Sequence, residues 1–229
     1  VIGVLIALGF EQVVEWAHWK HKVAEGEEML ESEAVRNIGT SAEYFAVTPC
    51  IEAQVENIRR NLAEGDKRQP LPRNDLRVEK SVIVTPQRAT YTAIWQGLSN
   101  DGTLNHMKPE RFNAWSSLFE AADRQGQVGL SGFELSRQFD VLAEPVTIDR
   151  ASSFSLLARA DEFHQIMATV HRTSIRNFEY YRTLGLKIPT ERIDKFLLQS
   201  RTLQYCKANN LPVDDWHKAY QQVLNPMSL

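Results

Sequence analysis

Residues 11–47, EQVVEWAHWKHKVAEGEEMLESEAVRNIGTSAEYFAV, can be helical from end to end, and their reading decides the fold. Val23, Leu30, Ala34 and Ile38 mark one apolar stripe along that helix. Pro49 is expected to end it, because the residue before a proline is pushed out of the helical region. A second helix then fits Cys50 to Ala63, where Ile51, Val55, Ile58 and Leu62 keep helical spacing and Gly65 supplies a stop.

Working downstream, Asp66 to Pro86 resists a helix. It holds Pro70, Pro72 and Pro86 among alternating charges, and it predicts a long loop with a short extended piece at Val82-Ile83-Val84. Loops of that length often bind something or move. Thr85-Pro86 predicts the start of a helix running past Ala89 and Trp95 to Asn100-Asp101-Gly102. Lys108-Pro109-Glu110 opens the next, with Trp115, Phe119 and Ala122 inward, and Phe133 to Leu142 reads as a separate short one. Asp149 caps a long helix to about Leu184. A further helix runs from Ile188-Pro189-Thr190 to Cys206, and a last one follows Pro212. No strand pattern of useful length occurs. The expected fold is an all-α bundle on a long N-terminal stalk helix: anchor residues 1–19, stalk 20–49, bundle 50–229.

Upstream, Val1 to Phe10 has no polar side chain, and no initiator Met opens it. Ten helical residues span about 15 Å, half of what a bilayer crossing needs. Trp16, Trp19, Lys20, His21 and Lys22 follow. Aromatic and basic residues so grouped are typical of a membrane–water boundary. Val1 to Trp19 is therefore expected to be the C-terminal half of a transmembrane anchor, with Trp16, Trp19, Lys20 and Lys22 at the interface. A buried core helix is the competing reading of the same ten residues. The other flank is absent, so charge bias does not orient the helix.

The chain has 229 residues, 43% of them hydrophobic and 24% charged, which excludes a mainly disordered protein. A net charge of -3 argues against a nucleic-acid partner. Its two cysteines, Cys50 and Cys206, fit one disulfide in an oxidising compartment such as a bacterial periplasm. Closing so long a loop would stabilise by about 4–5 kcal/mol in the chain-entropy picture. Two unrelated buried thiols are the alternative.

Chemistry-bearing patterns are few. Glu15, His18 and His21 share a helix face, but no second Glu-x-x-His accompanies them, so a metal site is not expected. His164 and His171, two turns apart on an apolar face, are the weak candidates for a ligand pocket; a satisfied polar pair in a bundle is the plainer reading. Gly129-Leu130-Ser131-Gly132 lacks the spacing of a nucleophile elbow. No catalytic residue, metal or cofactor is assigned.

The run at 1–19, the junction Thr48-Pro49-Cys50-Ile51 and the stretch Trp95 to Leu104 are similar to those of a group of uncharacterised single-pass inner-membrane proteins of Gram-negative, alphaproteobacteria-like organisms. The resemblance implies a short cytoplasmic N-terminus, one crossing and a periplasmic helical domain, and it transfers no catalytic residue. The first expectation is thus a non-enzymatic accessory or interaction subunit. It would be in contact with inner-membrane lipid and with other membrane-protein subunits, a respiratory or photosynthetic complex being one host that suits the architecture. The alternative is a periplasmic sensor-type domain binding a small molecule near His164 and His171. An enzyme with a site assembled from distant residues comes third.

Overall fold

A computed structural model describes residues 2–65, 68–75 and 80–224, and the side chains of 11–65, 68–74 and 81–224 among them. The chain is all-α, apart from a two-residue antiparallel pair, β1 (Asn74–Asp75) with β2 (Lys80–Ser81). Among the described residues seven helices follow one another: α1 (Ile2–Ala63), α2 (Ala93–Asn100), α3 (Pro109–Ser136), α4 (Arg150–Thr183), α5 (Thr190–Leu198), α6 (Arg201–Ala208) and α7 (Trp216–Leu224). Short 3-10 turns at Thr103–His106 and Arg137–Ala143 flank α3. Of the expected anchor half at 1–19, the side chains of 1–10 lie outside the described residues. Among the described residues no helix is long and apolar enough to cross a membrane.

The first correction concerns Pro49. It does not end a helix: α1 runs through it for 62 residues, about 90 Å at 1.5 Å per residue. A proline inside a helix costs about 3 kcal/mol in isolation. Here it sits where α1 is packed on nearly every side, and tertiary contact overrides the local preference. The same burial redraws the expected stalk. From Glu33 to Ile51 every residue is buried except Arg36, Phe45 and Pro49. Residues 30–49 are thus the central helix of the bundle, and packing continues before them, with Gly26 against Leu98 of α2 and Glu27 bonded to Arg111 of α3.

Helix α4 packs on both α1 and α3, α5 and α6 pack on α1, and α7 packs on α4 and α1. Trp115, Phe119, Phe139, Phe163, Phe178 and Tyr181 are fully buried at their junctions, each contributing about 1.5–3 kcal/mol by transfer from water. Asp149 accepts the Ser152 amide at 2.8 Å and caps α4, as expected. Gly102, at φ 81°, sets the left-handed turn after α2.

The stretch after Gly65 differs most from expectation. Residues 84–92 are not helical. They form an extended strap that runs antiparallel to α1 and is fastened by its polar side chains. Gln54 accepts from the Val84 amide at 2.8 Å and donates to its carbonyl at 3.4 Å. Tyr44 donates to the Pro86 carbonyl, and Asn37 exchanges both hydrogen bonds with the Tyr91 backbone. Glu33 accepts from Ile94 and Trp95, capping α2 from outside. The lengths agree: Asn37 to Gln54 along a helix is about 25 Å, and Val84 to Tyr91 fully extended is about 23 Å. Because α1 satisfies the strap's backbone, the strap needs no helix of its own. Gln54→Leu should leave the buried Val84 amide and carbonyl unpaired and cost about 2 kcal/mol. Hydrogen exchange at Val84 reports it directly; unchanged protection would show that the strap does not depend on Gln54.

Two further boundaries move. Helix α3 continues through Gly129, where a Cβ would meet the Tyr44 hydroxyl. The glycine that weakens the helix locally is what lets α3 approach α1. The expected helix to Cys206 breaks at Ser200, whose hydroxyl accepts the Leu203 amide at 2.9 Å and starts α6.

Candidate functional site

Toward its start α1 carries Val13, Val14 and Trp16 as exposed apolar side chains. The turn after α2 comes back to meet it. Asp101 accepts the Thr103 amide and pairs with Lys22 Nζ, both at 2.9 Å. Hydrogen bonding from Thr103, and then from Lys22, holds the Asp101 carboxyl down at about 2. His106 stacks flat on Trp19, with centroids 3.8 Å apart and planes within 10°. Next along α1, Glu27 accepts from Arg111 Nε at 2.7 Å and from Trp115 Nε1 at 3.1 Å, tying α3 to the same helix.

Between α1 and this turn lies a cleft of about 640 Å³, walled by Gln12, Glu15, Trp16, Trp19, Lys20 and Val23 on one side and His106 and Lys108 on the other. The sequence-predicted interface residues Trp16, Trp19 and Lys20 therefore line one feature, while Lys22 is committed to Asp101. Lys20 Nζ lies 5.0 Å from the Trp16 ring and Lys22 Nζ 5.0 Å from the Trp19 ring. Such contacts are worth about 0.5–1 kcal/mol at exposed sites. His21 turns away to Glu25 at 3.1 Å, and His18 stands edge-on to Trp19. No metal-binding cluster of three or more ligands occurs among the described residues.

The histidines of α4 lie away from this cleft. His164 Nδ1 lies 3.9 Å from Glu52, and His171 stacks on Phe45 at 4.6 Å with Nδ1 buried and without a hydrogen bond. Neither lines the cleft. Burial holds His171 below its usual value, against the pull of Asp214 and Glu52. The unfolded chain therefore binds this proton first as pH falls. His171 contributes stability in full above about pH 6.5, and this is lost as pH drops below that value. Urea unfolding at pH 7 and pH 5 should show a smaller pH difference in His171→Phe, which keeps the stack. An unchanged difference would exclude His171 as its source.

Two buried polar clusters hold the bundle together. Gln125 of α3 accepts from Ser41 and Asn177 and donates to Ser174, at 2.7–2.9 Å. Glu43 accepts from Arg88 Nε at 2.6 Å and from the Ser200 hydroxyl at 2.5 Å, so one carboxylate joins the strap to the start of α6. Cys50 and Cys206 are bonded, with Cα atoms 5.9 Å apart, fastening α6 to α1.

His106 and Lys108 escaped sequence reasoning. No local pattern marks them, and only the return of the chain after α2 brings them to Trp19. The chain matches no protein family, no curated protein and no solved structure.

Proposed function

We propose that this protein is a non-enzymatic, membrane-anchored interaction subunit whose helical domain is presented in the periplasm. The observation carrying this reading is the continuity of α1. One helix leads from the apolar stretch at its start, past the Trp16–Lys20 wall of the cleft, into a core closed by the Cys50–Cys206 bond. A domain carried on such a helix has no hinge at the membrane side, so it is held at a fixed attitude to the surface. The disulfide supports an oxidising compartment. The interior of filled aromatic layers and paired polar groups supports a scaffold.

The test is purification of the tagged full chain from gently solubilised membranes. One membrane-protein partner at fixed stoichiometry, retained through mild detergent washes, is the expected result. Elution of the chain alone would overturn the interaction role.

A further inference from the structure

The cleft between α1 and the turn after α2 has two kinds of wall. Trp16, Trp19 and Val23 make it apolar; Lys20 and Lys108 make it basic. Among the described residues Lys20 and Lys108 make no ion pair, whereas nearby Lys22 and His21 are both committed to carboxylates. The stack of His106 on Trp19 fixes the two walls against each other. A cavity of this size is in the range of sites that hold an organic molecule. A lone phosphate would leave the indole walls uncovered. Trp16, itself exposed, brings the apolar wall of the cleft to the solvent-facing side of α1.

We propose that the cleft seats one anionic phospholipid with a hydroxyl-bearing headgroup, of the phosphatidylglycerol type. Lys20 and Lys108 take the phosphate, and the glycerol backbone and upper acyl chain lie along Trp16, Trp19 and Val23. Glu15, the one acid in the lining, accepts from the headgroup hydroxyls and disfavours a headgroup without donors. The seat rests on the membrane reading above and names the lipid class for it. Aromatic and basic side chains at an interface suit this division of labour, the rings meeting the apolar boundary and the cations the phosphate.

The experiment is native mass spectrometry of the full chain released from bilayers of phosphatidylcholine alone or mixed with phosphatidylglycerol, alongside membrane fractionation of the same protein in cells. One retained phosphatidylglycerol per chain is expected. Lys20→Glu with Lys108→Glu should reduce retention at least tenfold while the protein still fractionates with membranes; Lys187→Glu, on the exposed turn before α5, should change nothing. Equal retention of both lipids, or an unaffected double variant, overturns the seat and leaves the anchoring intact. Displacement by millimolar glycerol phosphate, or a protein crosslinked at Trp16 in place of lipid, also overturns it. Specific retention by a chain that does not fractionate with membranes supports the seat and overturns the anchoring.

Discussion

Removing the Cys50–Cys206 bond is expected to lower the unfolding free energy by about 4 kcal/mol, toward the upper end of what native disulfides contribute. The bond spans 156 residues, so it constrains most of the unfolded chain. Both cysteines are fully buried, so Cys50→Ala with Cys206→Ala also leaves a small unfilled space in the core. α6 is short, and the bond and Ser200 are its fastenings to α1. Urea titration of the double variant against the oxidised protein measures the loss. A change below about 1 kcal/mol would mean that the bond is incidental to the fold.

Glu43→Ala should cost about 3 kcal/mol, the lower end of the range for breaking a buried ion pair. The carboxylate is 2% exposed and its partner Arg88 28%, so the loss leaves a half-buried guanidinium against the Phe196 ring without its counter-charge. The Ser200 hydroxyl loses its acceptor in the same step. Adding Arg88→Met should recover part of the loss, because the stranded charge goes with it. A double-mutant cycle by urea unfolding reads both. Independent, additive effects would show that Glu43 does not join strap and α6 through this pair.

Helix positions with regular apolar spacing were legible in the sequence: the Asp149 cap, the Pro109 start and the Gly102 turn all stand where their residues predict. The disulfide was legible as one of two readings, since only two cysteines exist to be paired. What failed was local punctuation overruled at a distance. Pro49 read as the end of a helix and Phe133 as part of a separate one, yet both lie in helices held from several sides. The strap read as helix after Thr85-Pro86, because the groups that satisfy its backbone (Asn37, Tyr44 and Gln54) lie 30 or more residues earlier on a different element. Half of the candidate site was visible as the cluster from Trp16 to Lys22. Its other wall, His106 and Lys108, has meaning only once Asp101 has paired with Lys22.

We propose that α1 carries a disulfide-closed domain from a membrane into the periplasm. It is tested most directly by protease digestion of cells expressing the full chain, before and after the outer membrane alone is opened, with the alkali-washed membrane pellet probed for the protein. The expected result is a chain that stays in the pellet, is cut only once the outer membrane is opened, and shows no free thiol until reduced. A chain recovered in the soluble fraction, or protected until the inner membrane is broken, would contradict it.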